Sequence, residues 1–328
     1  MALVVVAVFV FVLPRIADYA TVWALVTDIS RGWGLALAIS VVVYVASFAL
    51  PWMAAMPGLG FRRATIVTQA STAASIVLPG GDVVGMGTQF AMLRGWGFGA
   101  DMSSLAVLVT GLWNQLVRIG FPVVAVGLLA VTGEVPTDLR IAGAIGAVLF
   151  AVVLGAFIGL LASDPLARRI GDLGAKAAMW FMRVIRRPRT FSWGDDAVAF
   201  RENSEQLARR RWPHLTVGTV IGHLSSFAVL LVSLRAVGID HAELTGIECF
   251  AVFSLVRLLT AVPITPGGLG VVELGLTGGL VAFGADQEAV VAAVLLYRAL
   301  TMLPVILIGA VCFLFWRRAG SGTAPQPS

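Results

Sequence analysis

Six stretches of this chain run for about 20 residues or more with almost no charge, the length a helix needs to cross a bilayer. They are Leu3–Val26, Gly34–Met53, Met102–Val131, Ile141–Ala162, Leu215–Val237 and Ala289–Trp316. Only 12% of the 328 residues are charged and 59% are hydrophobic, with mean hydropathy +0.93. A soluble domain carries about 25% charged residues, so this chain cannot clothe a water-facing surface. Disordered, fibrous, secreted and ordinary cytosolic classes are excluded. The expected fold is an all-α polytopic membrane protein.

The net charge of +5 does not point to nucleic acid. Eleven Lys and Arg and six Asp and Glu fall between Ser163 and Arg211, and the rest of the chain carries twelve of each sign. All the excess is in one segment, as the positive-inside rule predicts for a cytoplasmic loop. The chain divides accordingly into an N-terminal membrane half (1–162), a basic linker (163–211), a C-terminal membrane half (212–318) and a Gly/Ser/Pro-rich tail (319–328) expected to be disordered. In the linker Leu166, Ile170, Leu173, Ala177, Phe181 and Ile185 recur every three or four residues, which predicts an amphipathic helix on the inner leaflet. The first apolar run has no basic region before it and no small-residue cleavage site after it, so it reads as a retained helix. Both termini are expected in the cytoplasm, at a cytoplasmic (inner) cell membrane.

Two further apolar stretches are interrupted. Thr65–Arg94 breaks at Pro79-Gly80-Gly81-Asp82, and Gly246–Phe283 breaks at Pro263-Ile264-Thr265-Pro266-Gly267-Gly268. The Lys/Arg bias holds along the chain only if each enters and leaves by one face, the first from the cytoplasm and the second from outside. Each break is followed by an acid (Asp82, Glu273) and then by an arginine and a proline in the next long helix: Arg118 with Pro122, and Arg298 with Pro304. Two opposed, similar interruptions are the pattern of an inverted repeat, and such breaks point to a transporter's binding site.

Proline ends a helix and glycine lets the chain turn. The half-helix that follows begins with unpartnered N–H groups and a positive dipole end, a site for an anion such as a lipid phosphate. Arg118, Arg257 and Arg298 lie inside apolar segments and should face the interior. They fit phosphate bidentately, or alternatively form ion pairs with Asp82, Glu248 or Glu273. Buried Asp82 or Glu273 could also carry a coupled proton. Gln69, Ser71, Thr72, Ser75, Asn114, Gln115, Thr260 and Thr265 would make a cavity wettable. Cys249 and Cys312 read as inert thiols. His214, His223 and His241 have no metal-ligand spacing, and no nucleotide-binding or hydrolase motif is present, so neither metal, cofactor nor catalytic role is expected.

The run Ile264-Thr265-Pro266-Gly267-Gly268-Leu269-Gly270-Val271-Val272-Glu273, followed by Ala293-Val294-Leu295-Leu296-Tyr297-Arg298, resembles the C-terminal signature of the lysylphosphatidylglycerol synthase transmembrane-region family. The resemblance implies a flippase region that moves aminoacylated phosphatidylglycerol between leaflets, here a stand-alone member without the synthase domain. It carries lipid-binding roles over to Pro266, Gly267, Gly268, Gly270, Glu273, Tyr297 and Arg298, and less directly to Pro79, Gly80, Gly81, Asp82 and Arg118. The expected cargo is an anionic phospholipid or a polyprenyl-phosphate-linked lipid. The alternatives are an intramembrane lipid-modifying enzyme, a small-ion transporter, and a membrane partner of a separate synthase or glycosyltransferase. Self-association stays open.

Overall fold

The computed structural model describes residues 26–78, 81–132, 137–184, 192–259 and 268–320, with Ala24 and Thr190. The expected first span, the break residues Pro79, Gly80, Pro266 and Gly267, the side chain of Asp82 and nearly all of the tail lie outside the described residues. What is described is helical. The elements are α1 (Arg31–Ser47), α2 (Leu50–Ala55), α3 (Phe61–Val77), α4 (Gly81–Gly95), α5 (Ala100–Thr132), α6 (Thr137–Ala162), α7 (Asp164–Val184), α8 (Gly194–Ala236), α9 (Gly246–Leu259), α10 (Val271–Ala282) and α11 (Gln287–Gly320).

Four rods among the described residues are long and apolar enough to cross a membrane: Arg31–Ala55, Ala100–Val131, Arg211–Ala236 and Gln287–Arg317. The first is α1 and α2 with a break at Phe48-Ala49, because Pro51 in the first turn of α2 has no N–H to continue the ladder. In contrast, α5, α8 and α11 run on through Pro122, Pro213 and Pro304. α8 passes unbroken from Gly194 in the basic linker into the apolar rod. Leu35, Ile39, Val124, Val217, Leu307 and Val311 are exposed on these helices, an apolar belt of the kind that faces lipid.

Both interrupted stretches fold as tight helical hairpins. In the first, Gln89 Nε2 donates to Ser71 Oγ at 3.2 Å, a Cβ on Gly85 would overlap Ser75 Oγ, and Arg63 lies 5.6 Å over the Trp96 ring. Residues early in α3 thus meet residues late in α4, and the two open ends lie together. In the second, a Cβ on Gly275 would come within 2.9 Å of Val256, and one on Gly279 within 2.5 Å of Val252. Glycines four apart let the α9 and α10 backbones approach, as small residues do at membrane helix contacts. The Asp286 amide donates to Glu243 Oε1 at 2.8 Å, closing the open end.

These hairpins approach α11 from its two ends. Gly95, at the end of the first, packs on Trp316 late in α11, while the second closes at Asp286, just before α11 begins. Each also crosses to the other half of the chain: α3 packs on α11 and α9 on α5. The linker helix α7 forms as expected and packs against α6 and α8, with Leu166 and Ile170 against Gly159.

Candidate functional site

A cavity of about 490 Å³ lies among these helices. Its polar lining comes from the first hairpin (Gln69, Ser71, Thr72, Ser75, Gln89), from α5 (Thr110, Asn114, Gln115, Arg118), from α8 (His223) and from the second hairpin (Arg257). Tyr44, Phe48 and Trp52 supply aromatic wall. Polar side chains are costly in hydrocarbon unless they meet partners or water. Here they converge from five elements on one space.

The partners are local and ordered. Asn114 Nδ2 donates to the Thr110 carbonyl at 2.8 Å, which turns its Oδ1 toward His223 Nε2 at 3.1 Å. The imidazole edge is held between Phe48 and Phe121, at 5.7 and 5.9 Å between ring centres. Arg118 donates to Gln115 Oε1 at 3.3 Å, one turn back on α5. Arg257 lies 5.4 Å over the Phe253 ring and donates to Ser226 Oγ at 3.4 Å, and Ser226 is in turn 3.2 Å from the Tyr297 hydroxyl. Two guanidinium groups therefore reach one cavity, in a wall of amides, hydroxyls and an imidazole.

The signature residues of the second break form a different structure. Arg298 Nε donates to Glu273 Oε1 at 2.6 Å, and the other carboxylate oxygen accepts the Gly270 amide at 2.7 Å. Glu273 is fully buried. Its carboxylate caps the start of α10, where Gly268 (φ 66°) and Gly270 (φ 83°) turn the chain in the left-handed region open to glycine. Arg298 thus forms the ion pair with Glu273. Among the described residues Glu248 pairs with no arginine; it caps α9, accepting the Thr245 amide at 2.8 Å and the Thr245 hydroxyl at 2.7 Å. Tyr297 is buried against Ser226, outside the cavity lining. Gly81 opens α4 with φ 51°.

Arg118, Arg257 and the small polar residues of α3 and α5 thus come together, whereas Gly268, Gly270, Glu273 and Arg298 belong to a buried clasp. Tyr44, Gln89 and His223 join the cavity without having been singled out for it. The signal for His223 was its place within an apolar span; its partner Asn114 is 109 residues away and invisible to local pattern.

A chain of this construction is a multi-pass helical membrane protein with a polar interior. It belongs to the lysylphosphatidylglycerol synthase TM region family, which matches residues 1–309. It is also 42% identical over 66 residues to a UPF0104 membrane protein of Methanocaldococcus jannaschii. That match spans 20% of this chain and 28% of the archaeal protein.

Proposed function

We propose that this protein moves an anionic phospholipid, or a polyprenyl-phosphate-linked lipid, between the leaflets of the cytoplasmic membrane. Its headgroup occupies the polar cavity while its tails stay in the bilayer. The observation that carries this reading is the meeting of Arg118 and Arg257 in one cavity lined by amides and hydroxyls. Guanidinium matches phosphate geometry, and removal from bulk water strengthens the contact. The two antiparallel hairpins, closed at opposite ends of α11, support re-entrant segments from opposite faces in an inverted repeat. That arrangement gives a single cavity access from either side in turn. On this reading the protein is a transporter without catalytic chemistry. The basic linker lies on the cytoplasmic side, where it draws anionic lipid by about 1 kcal/mol per Lys or Arg near the surface.

The test is leaflet exchange of headgroup-labelled lipids in proteoliposomes. Arg118→Gln and Arg257→Gln should slow exchange of anionic lipid at unchanged thermal stability. Exchange equal to an active parent in both variants would remove the arginines from the mechanism. Conversion of a lipid by the purified protein in detergent, where leaflets do not exist, would favour an enzyme instead.

A further inference from the structure

Most of the cavity wall is buried or half-buried, but two apolar lining residues are exposed: Met86 on α4 at 36% and Leu108 on α5 at 46%. They sit at matched depth. Met86 is nine residues from the Gly95 end of α4, and Leu108 is eight residues from the Ala100 end of α5. At 1.5 Å per residue both lie about 12–14 Å from ends that neighbour each other in the chain. The hydrocarbon core is about 30 Å thick, so this opening faces acyl chains and not water.

The seam itself is loose. α4 packs extensively on α3 and only sparingly on α5. One turn beyond Leu108, Gly111 lines the cavity, and a Cβ placed there would meet nothing within 4 Å. Gln89 stands one turn from Met86 toward the Gly95 end of α4, and Gln115, followed by Arg118, stands two turns beyond Leu108 along α5. Along α5 the lining therefore passes from an apolar rim to an arginine within about three turns.

We infer that the seam between α4 and α5, rimmed by Met86, Leu108 and Gly111, is a lateral portal. Through it a phospholipid puts its headgroup into the cavity and leaves its tails against Met86 and Leu108. This rests on the lipid-transport reading and names the route that reading needs. The missing side chain at Gly111 keeps the slot open for the lipid's glycerol neck. The complement is chemical as well as steric: apolar rim for chains, amides for the ester and glycerol region, arginine for phosphate.

Gly111→Leu tests it cleanly. The added side chain enters open space on a helix, so thermal stability should hold or rise, while exchange of labelled phosphatidylglycerol should fall to the rate of protein-free vesicles. Gly127→Leu, on the same helix with equally open space but away from the cavity, should exchange like the parent. Exchange at the parental rate in Gly111→Leu overturns the portal. A second measurement is independent of transport. In Leu108→Trp, the fluorescence quenching gained over the parent should be stronger with acyl-brominated phosphatidylglycerol than with brominated phosphatidylcholine. Leu307→Trp, on the outer belt, should not discriminate. Selective quenching at position 108 from a parent that exchanges nothing keeps the portal and sinks the flippase. Equal quenching by both lipids at 108 sinks the portal.

Discussion

Arg298 and Glu273 meet at 2.6 Å, the carboxylate buried and the guanidinium nearly so, and the carboxylate's second oxygen holds the Gly270 amide. One side chain thus ties α10 to α11 and caps α10 at once. Removing one partner of a buried pair leaves an uncompensated charge and costs about 3–5 kcal/mol. Glu273→Ala should lower the unfolding temperature in detergent sharply. The double variant Glu273→Leu with Arg298→Met should recover most of that loss, short of the cap, which is worth about 0.5–2 kcal/mol.

At Gly309 a Cβ would overlap the Gln69 carbonyl and the Ala73 side chain, so α11 touches α3 backbone to backbone. Gly309→Ala should destabilise by about 1–3 kcal/mol through overpacking, although alanine is the better helix former by about 1 kcal/mol. Gly127→Ala, which meets nothing, should be neutral or stabilising. Thermal unfolding of the two variants side by side decides this.

Gly85 and Ser75 make a similar contact inside the first hairpin, but against a side chain. Gly85→Ala should be destabilising alone and largely rescued by Ser75→Gly. A double-mutant cycle should return a coupling of about 0.5–3 kcal/mol. Additive single effects would contradict the packing described.

His223→Leu strips Asn114 Oδ1 of its partner within the cavity wall. The expected cost is about 1–3 kcal/mol, with slower lipid exchange, whereas His223→Gln, which keeps a donor, should lose less of both. Unfolding and exchange measured on the same preparations separate the two effects.

For Arg118→Gln and Arg257→Gln the expected loss is one charge-assisted contact each, about 1.5–3 kcal/mol. That is about 10- to 150-fold in affinity for anionic headgroup. Titration with labelled phosphatidylglycerol, against phosphatidylcholine as the uncharged comparison, reads it directly.

Membrane character, and the four spans among the described residues, were legible because hydrocarbon admits only internally bonded backbone, so apolar length alone marks a span. The two interruptions were legible for the same reason: Pro and Gly at membrane depth stand out. Arg118 and Arg257 were identified as interior because charge inside a span has nowhere else to go. What the arginines do was not legible. Arg298 lies as deep in apolar sequence as Arg118, yet one is clasped by Glu273 and the other lines the cavity.

By itself, then, the sequence determined an all-helical, multi-pass protein with two broken helices and arginines among them, since those features follow from the cost of exposed peptide groups and charges in lipid. Only the tertiary structure decided which arginines share the cavity, that Gly270 and Glu273 build a clasp, and that Gly111 lines the cavity with open space beside it. These depend on which helices become neighbours, at separations from 25 residues for Glu273 and Arg298 to 109 for Asn114 and His223, and no helical periodicity carries that information.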